Sequence, residues 1–128
     1  MRLSELKGKV VVLYFYPKDG TPGCVAEAKS FRDEHQELEQ VGAVVIGVSS
    51  QDNESHRDFA KKHSLPFLLL PDEDSSIARS FRVGDNIFGL TQRVTFIIDK
   101  TGKIAKIYDD VSPKNHGEEI LRDIGDLQ

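Results

Sequence analysis

Residues 10–29 read VVVLYFYPKDGTPGCVAEAK, and the parts of this segment differ sharply in character. Val10 to Tyr16 is an unbroken β-branched and aromatic run, the pattern of a strand buried on both faces. Pro17 ends it. The following PKDGTPG turns the chain, stiff at its prolines and compliant at its glycines. A helix is expected near Cys24, which then falls in the first helical turn. Backbone N–H groups there lack intrahelical partners and the helix dipole is positive. A sulfur anion at such a position is stabilised, so the thiol is expected to ionise below its free value of ~8.5.

Outward from this segment the pattern alternates. Cys24 to Gln40 has helical period, with Cys24, Ala28, Phe31, His35 and Leu38 on one stripe. Ala43 to Ser49 reads as a second buried strand. Asn53 to His63 reads as a helix with Phe59 and Ala60 inward. Pro66 precedes a short strand over Phe67 to Leu70, and Ser75 to Phe81 suits one or two helical turns. Val83 to Gln92 is polar and glycine-containing, so a loop is expected. Phe81, Ile87 and Phe88 beside it suit core packing. Val94 to Ile98 is a strand, DKTG (99–102) a turn, and Lys103 to Tyr108 the returning strand. Ser112 and Pro113 can cap and start a last helix with Ile120, Leu121 and Ile124 inward. The order β-α-β-α-β-α-β-β-α predicts one α/β domain over residues 1–128. Its central mixed sheet is partly parallel, closed by an antiparallel hairpin and flanked by helices.

The 128 residues carry a net charge of −4 and no basic patch, which argues against nucleic acid or an anionic membrane as partner. No apolar run approaches the ~20 residues that span a bilayer. Met1 leads almost directly into LSELKGKV, without a basic and then apolar leader, so a cytoplasmic location is expected. The single cysteine excludes an intramolecular disulfide and suits a reducing compartment. His35, His56, His63 and His116 lack metal-ligand spacing, so no metal or other cofactor is expected. Asp72, Glu73 and Asp74 are expected to cap or to solvate. DGTPG lacks the lysine and spacing of a phosphate loop.

An activated sulfur can cleave an oxygen–oxygen bond if donors stabilise the departing oxygen. Thr21 offers a hydroxyl three residues before Cys24, and Gly23 and Cys24 offer backbone N–H groups. Arg93 opens the RVTFIID strand. If that strand lies beside Val10 to Tyr16, Arg93 supplies the cation.

PKDGTPGC (17–24) resembles the Pro-x-x-x-Thr-x-x-Cys signature of peroxiredoxins. The surrounding VVLYFYPKDGTPGCVAEAKSFRD, with RVTFIIDKTGKI and NHGEEIL downstream, resembles the Q, or bacterioferritin-comigratory, branch. The resemblance covers nearly the whole chain. It implies a thioredoxin-like fold and thiol-dependent reduction of hydrogen peroxide and organic hydroperoxides. It also implies roles: Cys24 as the peroxidatic cysteine, Thr21 and Arg93 in the active site, Pro17 as a shield, and Glu27 orienting the polar network. Two features depart from the family pattern. Lys29 stands where many Q-type members carry a resolving cysteine, and the N-terminal hairpin of the family is expected to be missing ahead of LSELKGK. Five helical residues turn about 500°, which takes Lys29 off the Cys24 stripe. The expected enzyme is therefore regenerated by an external thiol such as thioredoxin, glutaredoxin or a small thiol, and the resemblance to Q-type members implies a monomer. The alternative is a non-catalytic thioredoxin-like module that senses redox state or binds a partner.

Overall fold

A computed structural model describes residues 6–85 and 89–127. Met1 to Glu5, and the Ile87 and Phe88 expected to pack in the core, lie outside the described residues. The chain runs β1 (Val10–Phe15), α1 (Pro22–Asp33), α2 (His35–Gln40), β2 (Ala43–Ser49), α3 (Asn53–Lys62) and β3 (Leu68–Pro71). It continues through α4 (Ser76–Ser80), β4 (Val94–Ile98), β5 (Ile104–Tyr108) and α5 (His116–Leu127). The five strands form one sheet in the order β3-β2-β1-β4-β5. β1 and β2, and β2 and β3, are parallel; β1 and β4, and β4 and β5, are antiparallel. This is the expected mixed sheet, and every residue of β1 is buried.

Strand alternation divides the core in two. Val10, Val12, Tyr14 and Tyr16 face α1 and α5, packing with Cys24, Ala28, Phe31, Ile120 and Ile124. Val11, Leu13 and Phe15 face the other way, against Ile46, Val48, Ala78, Val83 and Phe96. Phe81 packs partly buried against that second cluster, as expected. Asp72, 3% exposed, accepts the Ile77 and Ala78 amides at 2.9 and 3.0 Å. It thereby supplies the cap that Ser75, held at φ 60°, does not.

Three local expectations are revised. The helix over Cys24 to Gln40 breaks at Glu34 (φ −100°, ψ 6°), giving two helices. The apolar stripe tolerates one non-helical residue, since Phe31 and Leu38 are both fully buried on either side of the break. Ser112 makes no side-chain cap; Pro113–Asn115 form a 3₁₀ turn and α5 starts at His116. Within the loop before β4, Asp85 bridges Thr91.

α5 reaches α1 at one close contact. The Gly117 amide donates to the Ser30 hydroxyl, and a Cβ on Gly117 would overlap the Ser30 carbonyl. Gly117→Ala is therefore expected to destabilise the fold by about 1–3 kcal/mol. Gly125→Ala, where a Cβ meets nothing within 4 Å, should stabilise it by about 0.5–1 kcal/mol. Urea unfolding of the two variants checks the opposite signs.

Candidate active site

The site forms where β1 ends and α1 begins. Thr21 is the N-cap residue and Pro22 the first helical residue, where its missing N–H costs nothing. The Val25 amide donates to the Thr21 carbonyl at 2.8 Å, closing the first helical turn around Cys24. Cys24 is 2% exposed. The Thr21 hydroxyl does not cap the helix; it donates to the Lys18 carbonyl at 2.9 Å and so stays on the loop.

Arg93 arrives from the neighbouring strand. β4 runs antiparallel to β1 with Val94 opposite Phe15, so the residue before β4 lies beside the cysteine loop. Its Nη2 donates to Cys24 Sγ at 3.4 Å and its Nη1 to Glu27 Oε1 at 2.6 Å. A Cβ on Gly23 would lie 3.0 Å from Arg93 Nη2, so glycine leaves the guanidinium its room. Cys24, Gly23, Glu27 and Arg93 are thus brought together. Pro17 and Thr21 sit on the adjoining loop, with the Pro17 carbonyl accepting from Gln51 Nε2 at 3.3 Å. Lys29 is exposed on α1.

Glu27 is fully buried, and its Oε2 has no hydrogen-bond partner among the described residues. Burial pushes its carboxyl up to about 7, against the opposing pull of the Arg93 charge and hydrogen bond. Desolvation of a carboxylate with one lone pair set unanswered outweighs a single ion pair.

Sequence reasoning missed two supports. Asp19 accepts from the Tyr16 hydroxyl at 2.6 Å and the Ser55 hydroxyl at 2.8 Å, and contacts His56 Nδ1 at 2.6 Å. Its amide donates to Gln51 Oε1 at 3.0 Å. His56 lies three and four residues before Phe59 and Ala60, so the helical period could have marked it as inward-facing. The second support is His116, fully buried, with Nε2 2.8 Å from Thr95 Oγ1 and Nδ1 2.8 Å from Glu119 Oε1. Burial lowers its basicity, despite the opposing Glu119 carboxylate, and Arg93 pushes the same way. It ties α5 to β4 two residues beyond Arg93. Among the described residues no group of three or more His, Cys, Asp or Glu is placed to hold a metal.

A mixed sheet that presents a cysteine in the first turn of a helix, with an arginine on its sulfur, defines a thiol-active enzyme of thioredoxin-like fold. The AhpC/TSA family model matches residues 1–107. Peroxiredoxin Bcp of Bacillus subtilis (strain 168) is 45% identical over 134 residues, covering 99% of this chain and 85% of that protein. The chloroplastic peroxiredoxin Q of Sedum lineare is 43% identical over 122 residues, covering 94% of this chain and 66% of its own length. The solved bacterioferritin comigratory protein of Xanthomonas campestris, described for its alkyl peroxide reduction activity, superposes with a TM-score of 0.93 at 31% identity. That match covers 99% of this chain and 85% of that one. The chain belongs to the AhpC/TSA family, among its peroxiredoxins of the Bcp and Q type, which are thiol-dependent peroxidases.

Between the ordinary glutamate value of 4.5 and about 7, the folded chain holds a proton on Glu27 that the unfolded chain has lost. Native stability therefore falls as pH rises through that window. Glu27→Gln removes this dependence. Urea unfolding across the window should show the variant gaining on the native chain by on the order of 1–3 kcal/mol as pH rises. Parallel stability curves would count against the raised carboxyl.

Proposed function

We propose that Cys24 is the peroxidatic residue of this chain, attacking as the thiolate. A sulfur–oxygen bond forms as the oxygen–oxygen bond breaks, and the sulfur is oxidised to sulfenic acid. The departing oxygen takes a proton and leaves as water or an alcohol. Arg93 is the group that stabilises both the sulfur anion and the charge developing on the peroxide oxygens. Glu27 holds the other arm of the guanidinium and fixes its aim. The Gly23 and Cys24 amides supply the remaining donors, Thr21, whose own hydrogen goes to the Lys18 carbonyl, offers its oxygen as acceptor to the peroxide O–H, and Pro17 shields the loop. The observation that carries this reading is the Glu27–Arg93–Cys24 chain of contacts, 2.6 and 3.4 Å long. The activity printed for the Xanthomonas protein supports organic hydroperoxides as substrates, beside hydrogen peroxide.

No second sulfur besides Met1 exists in the chain, and Cys24 is the lone cysteine. Its sulfenic acid therefore condenses with an external thiol, releasing water and leaving a mixed disulfide. A second thiol then displaces the first as an external disulfide and restores Cys24. Thioredoxin, glutaredoxin or a small thiol of a reducing cytoplasm would serve. Cys24, Arg93 and Glu27 meet within one chain, which supports a monomer as the working form.

A second reading, favoured by the lone cysteine, is a redox-sensing module that oxidises once and signals to a partner thiol. Peroxide consumption with a thiol donor separates the two: sustained turnover is expected, and a stall after one equivalent would favour the sensor. Cys24→Ser should abolish turnover, and Arg93→Met should slow the oxidation step roughly 10²–10³-fold. Rapid mixing with peroxide, followed by intact mass, measures both. Without a thiol donor, repeated peroxide additions should carry Cys24 on to sulfinic and sulfonic acid.

A further inference from the structure

His56 is 2% exposed and stands apart from the Arg93 chain of contacts. Both its ring nitrogens face acceptors. Nδ1 lies 2.6 Å from Asp19 Oδ2, and Nε2 lies 3.1 Å from the Leu70 carbonyl. A neutral imidazole carries one N–H and one lone pair. In this setting it would turn a bare lone pair on either a carbonyl or a carboxylate, at a buried site where unmet polar groups are costly. Against an ionised Asp19, only the doubly protonated ring satisfies both. Asp19 suits the complementary role of an ionised carboxylate, since the Tyr16 and Ser55 hydroxyls donate to its two oxygens.

We infer that His56 is a positioning residue of this peroxidase: donating from both nitrogens, it ties the cysteine loop, through Asp19, to β3 at Leu70. Asp19 directly follows Lys18, whose carbonyl accepts the Thr21 hydroxyl. Gln51 holds the same loop at the Asp19 amide and the Pro17 carbonyl. The path from His56 to the peroxide pocket is therefore Asp19, the Lys18 carbonyl and the Thr21 hydroxyl. The inference rests on the peroxidatic reading of Cys24 for its effect on rate, and on geometry alone for the state of the ring.

The groups facing His56 are Tyr16 and Asp19 from the β1 end, the Ser49 carbonyl of β2, Ser55 of α3 and the Leu70 carbonyl of β3. Burial works against the charge on His56, but the Asp19 hydrogen bond and charge outweigh it, and the ring stays protonated above its ordinary value. Burial likewise opposes the Asp19 charge, and the donors of His56, Tyr16 and Ser55 outweigh it, so the carboxyl stays ionised below its ordinary value. The tie is complete between those limits. It is lost on the alkaline side as His56 gives up its proton, and on the acid side as Asp19 gains one.

Nitrogen-15 NMR of the imidazole rings in the reduced full-length chain tests the ring directly. Two protonated nitrogens on His56 are expected at pH 7, and a bare nitrogen there would overturn the inference whether or not the chain reduces peroxide. Rapid mixing with hydrogen peroxide across alkaline pH tests the consequence. The native chain should lose oxidation rate as His56 deprotonates. Asp19→Asn and His56→Gln should be slower by ~10-fold or more at neutral pH and should lack that alkaline step. Native rates and a native profile in both variants would overturn the positioning role. Failure of native Cys24 to react with peroxide would instead remove the peroxidatic reading and leave the NMR result to decide the ring.

Discussion

The antiparallel register of β4 on β1 is the constraint from which the site follows. Val94 opposite Phe15 puts Arg93 beside the cysteine loop, although 69 residues of sequence separate Arg93 from Cys24. A one-residue slip would exchange the two faces of β4 and lift Phe96 and Ile98 out of the second core cluster. Burial on both faces of the central strand therefore fixes the register, and the register fixes the guanidinium. The geometry of the candidate site is in this sense a by-product of core packing.

The second determinant is a charge balance in a dry place. Glu27 is fully buried and Arg93 reaches solvent only in part. Taking such a pair out of water costs several kcal/mol per ion before any attraction is counted. The pair is thus a poor source of stability, and its value lies in aim. With one Nη committed to Glu27 Oε1, the other is left for the sulfur. The raised carboxyl of Glu27 reflects the same imbalance, since one of its two oxygens finds no donor among the described residues.

Around this centre, α1 is held at both ends. At its start, the 17–20 loop is tied to the β2–α3 connection, α3 and β3 by Asp19, Gln51 and His56. Further along, Ser30 and Gly117 bring α5 into close contact, and His116 joins α5 to β4 at Thr95. The helix that carries Cys24 and the strand that Arg93 leads into thus share one set of supports. Lys29 takes no part in them. It is exposed on α1, and its consequence is chemical: the chain holds no cysteine that could resolve an oxidised Cys24.

Much of this was legible in the residues. The β-branched run of β1, the breaker Pro17 and the period of α1 specify a strand, a turn and a helix through local sterics and burial pattern. They place Cys24 in the first helical turn without reference to the rest of the chain. The opening of the RVTFIID strand offered Arg93, and the peroxiredoxin resemblance added Glu27 as a candidate. Local pattern failed at Glu34, where the apolar stripe passes unbroken through a break in the backbone. It also failed at His56, Asp19 and Gln51, which are ordinary polar residues until the fold brings three distant segments together. The sequence alone determined which sulfur could react and that no second cysteine could rescue it, because composition and local helix geometry need no partner. Only the tertiary structure decided what surrounds that sulfur, because strand register and the burial of unlike charges depend on the whole sheet being assembled.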